Sequence, residues 1–296
     1  MKAVVRNKAK FQVKDVEKPK PTSHEVLIKV HAATVTAGDV FMHRIPRVAF
    51  VAISMLGFKY KPTPGHEFAG VVEAIGDNVT QFKVGDEVFG TTTGLKAGAN
   101  AEYICIPEVG KSGVIVHKPS NLSFAEAATV PVGAMTAMHF LRKANIQPNQ
   151  KVLIYGASGS VGSYAIQIAK HMGADITAVS STRNIQLMQS LGADRVIDYK
   201  QEDFSESGQV YDVIFDAVGK TTADQRKRAM KQDGCFVSVS SIASGASKNI
   251  NRVVELAESG HLKPVIDRHY ALEHISEAYQ YVQAGHKKGN VVIDIA

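Results

Sequence analysis

The chain is poor in residues that staple or anchor a protein. Its 296 residues include two cysteines and no tryptophan. Cys105 and Cys235 stand 130 positions apart (235 − 105), which excludes a disulfide framework and a CxxC metal knuckle. Both read as reduced core thiols of a cytoplasmic protein. Long apolar runs are scarce too. The longest, Val48 to Phe58, covers eleven residues between Arg47 and Lys59, against about 20 needed to cross a bilayer. It reads as a buried helix or the apolar wall of a cleft, and no membrane partner is expected. Met1-Lys2-Ala3-Val4-Val5-Arg6 meets charge too early for a secretory leader. The charge excess, 34 − 28 = +6, suits an anionic ligand but is small for a nucleic-acid binder. The clusters Arg226-Lys227-Arg228 and Lys287-Lys288 lack interleaved aromatics and read as solvated faces, so nucleic acid is not an expected partner.

What is present is ordinary globular composition, 45% hydrophobic and 21% charged, in a length that favours two domains. The two parts follow different patterns. Up to residue 117 the chain is β-rich: "EVLIKVHAATV" and "AGVVEAIG" are β-branched runs, and "GDNVTQFKVGDEVFG" is punctuated by turn residues. Residues 123–143 read as helical segments interrupted at Pro131. Strand and helix then alternate: strands at 151–155, 176–180, 195–199, 211–218 and 235–240, helices at 160–172 and 184–191. Continuously apolar strands alternating with helices predict a doubly wound parallel sheet covered on both faces. The tail from Lys263 reads as strand, helix, strand and is expected to pack back on the first part.

At the first strand-to-helix turn of that sheet stands "YGASGSVG". Ala157, Ser158, Gly159, Ser160, Val161 and Gly162 match a dinucleotide-binding fingerprint with Ala in place of its first Gly. Gly159 lets backbone approach a pyrophosphate, Gly162 lets the helix pack on the strand, and the unpaired N–H groups of the helix start hold the phosphates. The end of the second strand selects the dinucleotide. An NAD site carries Asp or Glu there, about 20 residues beyond the turn. Here Ser180-Ser181-Thr182-Arg183 offers hydroxyls and a guanidinium, and the next carboxylate is Asp194. That set fits the 2′-phosphate of NADPH.

A second motif is "GHEFAG", in which His66 sits beside Glu67 with Gly65 and Gly70 close by. A lone His is more often structural than a metal ligand, so its partners decide its role.

With these motifs in view, the sequence resembles the medium-chain dehydrogenase/reductase superfamily, in its zinc-independent quinone oxidoreductase branch. The resemblance rests on "EVLIKVHAATVTAGD" (25–39), "PGHEFAGVVEAIGDNVTQFKVGDEVFG" (64–90), "LIYGASGSVG" (153–162), "SLGADRVIDY" (190–199) and "KKGNVVI" (287–293). It implies an α/β fold in which a GroES-like β-rich catalytic domain, 1–117 with 263–296, frames a Rossmann domain, 118–262, with the cofactor in the cleft between them. His66 falls at one position of the family's catalytic zinc, but Thr36 and Val132 stand where its two cysteines would align. A hydroxyl and an isopropyl group cannot replace two thiolates, so no metal is expected.

The resemblance further implies hydride transfer from NADPH to a small electrophile, a quinone or activated enone. The proton would come from solvent, His66, Thr36 or Thr136, and Asp39 either orients a neighbour or stabilises its turn. Carried over residue by residue, the cofactor contacts are the 157–162 turn, Ser180, Ser181, Arg183 and Tyr199, with Val218, Ser240 and Asn290 near ribose or nicotinamide. The family's common 2′-phosphate lysine aligns with Asn184, which leaves that charge to Arg183. Only eleven residues separate "CFVSVSS" from "VVELAESG", where the family fits a longer loop and a sixth strand that often builds a homodimer. The sheet is therefore expected to lack that strand, and dimerisation is in question. Two alternatives stay open: an alcohol or aldehyde dehydrogenase-like enzyme, and an NADPH-binding sensor or nucleic-acid partner with little turnover.

Overall fold

The structure, a computed structural model, describes residues 1–7, 10–44, 63–92, 98–109, 113–240 and 246–295. The apolar run Val48–Phe58, the expected cleft wall, lies outside the described residues.

Along the chain, β1 (Lys2–Asn7) and β2 (Lys10–Asp15) form an antiparallel ribbon. Then come β3 (Glu25–Thr34), α1 (Ala37–Arg44), β4 (Glu67–Ile75), β5 (Glu87–Thr92), β6 (Tyr103–Pro107) and β7 (Gly113–His117). Helix α2 (Phe124–Lys143) leads to β8 (Lys151–Tyr155), α3 (Ser160–His171) and β9 (Asp175–Ser180). A single 3₁₀ turn, Thr182–Asn184, precedes α4 (Ile185–Ser190) and β10 (Arg195–Asp198). The series continues with β11 (Tyr211–Asp216), α5 (Ala223–Ala229), β12 (Met230–Ser238) and α6 (Ile250–Glu258). The tail supplies β13 (Ile266–Ala271), α7 (Ile275–Gln283) and β14 (Asn290–Asp294).

Two compact units result: Met1–Pro131 with Ile266–Ala296, and Val132–Val265. Residues 118–131 and 263–265 therefore fall on the other side of the divide from the one the sequence pattern marks. Helix α2 carries the chain from the first unit to the second, and the change falls at Pro131. The interruption expected there is absent, because α2 runs unbroken through Pro131. Proline removes one N–H donor and crowds the carbonyl four residues earlier. Burial of Ala127, Ala128, Val130, Ala134, Met135, Ala137, Met138, Phe140 and Leu141 along the same helix outweighs that cost.

In the first unit a seven-stranded sheet runs β13-β14-β3-β4-β5-β7, with β6 paired to β3. The tail does return to this unit, since β14 joins β3 antiparallel with Ile293 opposite Ala33. Alternation along β3 and β4 turns Val26, Ile28, Val30, Phe68 and Val72 into one buried cluster with Val88, Ile104 and Ile293. In the second unit all five strands are parallel, in the order β10-β9-β8-β11-β12. The chain winds outward from β8 through β9 to β10, then returns to the other side for β11. The crevice at the carboxyl end of β8 is thus the topological switch point, where doubly wound sheets bind ligands.

The sheet ends at β12 among the described residues. That strand starts earlier than the pattern suggests, because Met230 pairs with Tyr211 before the register jumps to Cys235 opposite Val213. Among the described residues, no helix is long and apolar enough to cross a membrane.

Candidate functional site

The turn after β8 is shaped by backbone packing. A Cβ on Gly162 would lie 2.4 Å from the Gly156 carbonyl oxygen and 2.7 Å from Ala157 Cα. Neither backbone atom can yield cheaply, so α3 lies directly against the end of β8. Ala157 is fully buried and its N–H donates to Val179 O at 3.1 Å, which ties the turn to β9. Gly133 of α2 adds to this packing, since a Cβ there would meet Ser160 Oγ at 2.4 Å.

Gly159 differs. Its Cβ would meet only the Gly156 oxygen, at 3.5 Å, an ordinary contact. The protein itself does not require glycine there, whereas close approach of an external group would. Gly159 also caps α3 without a side-chain bond, and the first helical bond is Ser163 N to Gly159 O at 2.9 Å. The N–H groups of Ser160, Val161 and Gly162 thus stand ahead of the helical ladder, at the positive end of the helix dipole.

At the end of β9, Ser180 is 2% exposed and its Oγ is buried with no hydrogen-bond partner. A buried hydroxyl left unpaired is costly unless something arrives to bond it. Ser181 is buried and accepts from Asn184 Nδ2 at 3.2 Å, while Arg183 is exposed on the 3₁₀ turn. Tyr199, half exposed, follows β10, and its N–H donates to Ser180 O at 3.1 Å. On the other side of β8, Val218 packs toward the glycine turn, since a Cβ on Gly156 would meet its Cγ1 at 2.5 Å. A Cβ on Gly219 would meet Ser240 Oγ at 2.2 Å. The structure therefore gathers Ala157–Gly162, Ser180, Ser181, Arg183, Tyr199, Val218 and Ser240 at the carboxyl edge of one sheet. This edge fits a dinucleotide: a donor-rich helix start, room at Gly159 and an unpaired buried hydroxyl.

Sequence reasoning missed the residue that builds the 217–221 loop. Asp216 is buried, and its Oδ1 accepts from Val218 N at 3.1 Å and Gly219 N at 2.8 Å. Its Oδ2 accepts from Thr221 N at 2.8 Å and Thr221 Oγ1 at 2.7 Å. The available signal was an Asp at a strand end with a Gly three residues on, in "FDAVG".

In the first unit Asp39 is a hub. Its side chain is fully buried, and Oδ2 accepts from Thr36 N at 2.8 Å and Thr36 Oγ1 at 2.6 Å. Oδ1 pairs with His66 Nδ1 at 2.6 Å. Asp39 therefore both stabilises its turn and orients a neighbour. With Nδ1 bonded to the carboxylate, His66 presents Nε2, as an acceptor when neutral and a donor when protonated. The Thr36 oxygen is already engaged, donating to Asp39 Oδ2 and accepting from Asp39 N at 3.0 Å. Thr36 and His66 are thus brought together by Asp39, while Thr136 and Val132 lie on α2 within the second unit. Asn290 opens β14 in the first unit and is buried. Among the described residues, no three His, Cys, Asp or Glu side chains group as metal ligands would.

Beside His66, the buried Glu67 accepts from Thr34 Oγ1. Lys287 donates to Gly289 O, and burial pushes its ammonium down to about 8 against the pull of Glu67 and Asp267. The folded value lies below the unfolded 10.5, so between the two the unfolded chain binds the extra proton and stability rises with pH. The stability difference between wild type and Lys287→Met should accordingly move in favour of wild type as pH rises from 8 toward 10, by at most about 1.4 kcal/mol per pH unit. Denaturant titrations across that range check it, and a flat difference refutes it.

The glycine turn yields a paired expectation. Gly162→Ala should cost about 1–3 kcal/mol of stability through overpacking. Gly159→Ala should stay within about 0.5 kcal/mol of wild type. Thermal or denaturant unfolding of both variants separates the two positions.

Comparison with known proteins completes the picture. Family models described as "Alcohol dehydrogenase GroES-like domain" and "Zinc-binding dehydrogenase" match residues 22–140 and 160–263, and a further zinc-binding dehydrogenase model matches 240–293. The chain is 33% identical to a 2-methylene-furan-3-one reductase of Solanum lycopersicum over 94% of its own length and 74% of that protein. It is 30% identical to the chloroplastic NADPH-dependent alkenal/one oxidoreductase of Arabidopsis thaliana, over 93% and 73%. Among solved structures, the quinone oxidoreductase from Coxiella burnetii superposes with a TM-score of 0.86 at 28% identity, covering 100% of this chain and 99% of that one. Two-unit architecture, a glycine turn at the switch point and these relatives agree: the chain belongs to the medium-chain dehydrogenase/reductase superfamily and is an oxidoreductase of its nicotinamide-dependent kind.

Proposed function

We propose that the protein is a zinc-independent, NADPH-dependent reductase of quinones or activated enones. The observation that carries the cofactor choice is the end of β9: a buried, unpaired Ser180 hydroxyl, then Ser181 and the exposed Arg183, with no carboxylate on the strand end itself. The substrate class draws on the named activities of the tomato, Arabidopsis and Coxiella relatives and on the chemistry around His66. One imidazole, a hydroxyl already donating to Asp39 and the isopropyl group of Val132 do not make a zinc site. Without a Lewis acid, an acceptor already electrophilic at carbon is the suitable partner.

When bound, the nicotinamide supplies the hydride. The chain's residues do the rest. The N–H groups of Ser160, Val161 and Gly162 bind the pyrophosphate, Ser180 the ribose end and Arg183 the 2′-phosphate. Val218, Ser240, Tyr199 and Asn290 complete the cofactor contacts. His66, oriented by the buried Asp39, is the proposed proton donor. Thr36 acts on Asp39 rather than on substrate, and Thr136 is a second hydroxyl for proton delivery. The partner is a small electrophile rather than nucleic acid. A cytoplasmic setting belongs to the same reading, resting on two cysteines too far apart in the chain to suggest a disulfide framework.

A charge-assisted phosphate contact is worth about 1.5–3 kcal/mol, so Arg183→Ala should weaken NADPH roughly 10- to 100-fold and leave NADH nearly unchanged. Titration of both cofactors on wild type and variant tests this, and equal weakening of the two would sink the assignment. Metal analysis of the purified protein should find no stoichiometric zinc, and quinone or enone reduction should survive a chelator. About one tightly held zinc per chain would overturn the reading of His66.

A further inference from the structure

The parallel register of β9 and β10 sets Asp198 beside Ser180. A carboxylate therefore does stand at the proposed ribose end, supplied by the neighbouring strand. Asp198 is 7% exposed, and each of its oxygens already accepts a hydrogen bond. Thr182 Oγ1 donates to Oδ2, and Lys200 N donates to Oδ1 at 3.0 Å. These bonds, the Thr182 hydroxyl foremost, hold the carboxyl below its usual range, so it is an anion at neutral pH. Thr182 opens the 3₁₀ turn that carries Arg183, and Asn184 N closes that turn on Ser181 O at 2.9 Å. One hydrogen bond thus has two consequences. It pins the Arg183-bearing turn to β10, and it occupies the carboxylate oxygen nearest that turn.

We propose that Thr182 masks Asp198, and that this pair is a specificity-determining device for NADPH over NADH. An Asp with a vacant oxygen here would accept the ribose 2′-hydroxyl of NADH, as the acid of an NAD site does, and would repel a 2′-phosphate. With Thr182 in place the oxygen on that side is directed at the Thr182 hydroxyl and partly screened by it, Lys200 lies nearby to offset the charge, and Arg183 is held at the same edge. Neither residue need touch the phosphate, so both act as positioning residues. The proposal rests on the dinucleotide reading above and deepens it.

The test is direct titration of the purified protein with NADPH and with NADH, for wild type, Thr182→Val, Thr182→Ser, Asp198→Asn and the Thr182→Val/Asp198→Asn double variant. Circular dichroism and melting temperature verify that each is folded. Thr182→Val should lower the NADPH-to-NADH affinity ratio about tenfold or more, through weaker NADPH and tighter NADH binding. Thr182→Ser, which keeps the hydroxyl, should retain the wild-type ratio. Asp198→Asn should gain no NADH affinity, and in the double variant the NADH gain should vanish. A Thr182→Val variant that weakens both cofactors by the same factor, or changes neither, overturns the mask and leaves a purely structural turn. So does an NADH gain that persists in the double variant. A wild type with no preference for NADPH defeats the cofactor assignment instead, and the mask is then judged by the Thr182→Val ratio alone.

Discussion

The contact on which the second unit depends is backbone against backbone, at Gly162 over Gly156 and Ala157. Because no side chain separates them, α3 starts immediately above the end of the central strand, β8. Its unpaired N–H groups then face the one place where the sheet's winding reverses direction. The flanking pieces follow from that position. Ala157 bonds across to β9, Val218 closes over Gly156, and the buried Asp216 holds the Val218 loop by accepting four hydrogen bonds from it. A donor-rich edge thus arises from packing that would exist without a ligand, and Gly159 is the one glycine of that turn that such packing leaves unexplained.

The first unit shows a different economy. His66 has the company of a carboxylate and a hydroxyl, yet all three are committed to one another through Asp39. The fully buried Asp39 accepts two hydrogen bonds from Thr36 of its own turn and pairs with His66, the residue before β4. These contacts fix the position of the His66 ring. In the proposed reading this arrangement serves proton delivery rather than zinc, which needs converging anionic soft donors.

Much of this was legible in the sequence. The parallel strands are continuously apolar and the helices between them end in glycine, so β8 to β11 stand within a few residues of their expected places. The glycine turn was readable because its signals are local: glycines, a helix start and a preceding strand within one dozen residues. Pro131 misled, because local propensity says break while the burial of α2 says continue. Helix α1 was not anticipated, being a short segment whose buried residues are Asp39 and Val40 and whose strongest local bonds come from one aspartate. Asp216 was invisible as a builder, since its four donors come from residues whose loop shape the sequence does not state.

The reading of the β9 edge shows why distance along the chain is an incomplete guide to a cofactor site. Counting onward from the end of β9 meets Asp194 first, but that carboxylate lies at the opposite end of the strands. There it accepts from Lys170 Nζ at 2.6 Å and from Ile176 N, near the start of β9, at 2.9 Å. Four residues later Asp198 lies beside Ser180, because parallel pairing aligns Arg195 with Thr177 and carries the register forward one residue at a time. In a parallel sheet, an acid near the ribose can come from the second strand or equally from the third, and only the register tells them apart. What then decides its effect is which donors reach it first. Here a hydroxyl from the intervening turn and a backbone N–H do so, which makes the charge of Asp198 part of the scaffold rather than of the open ligand surface.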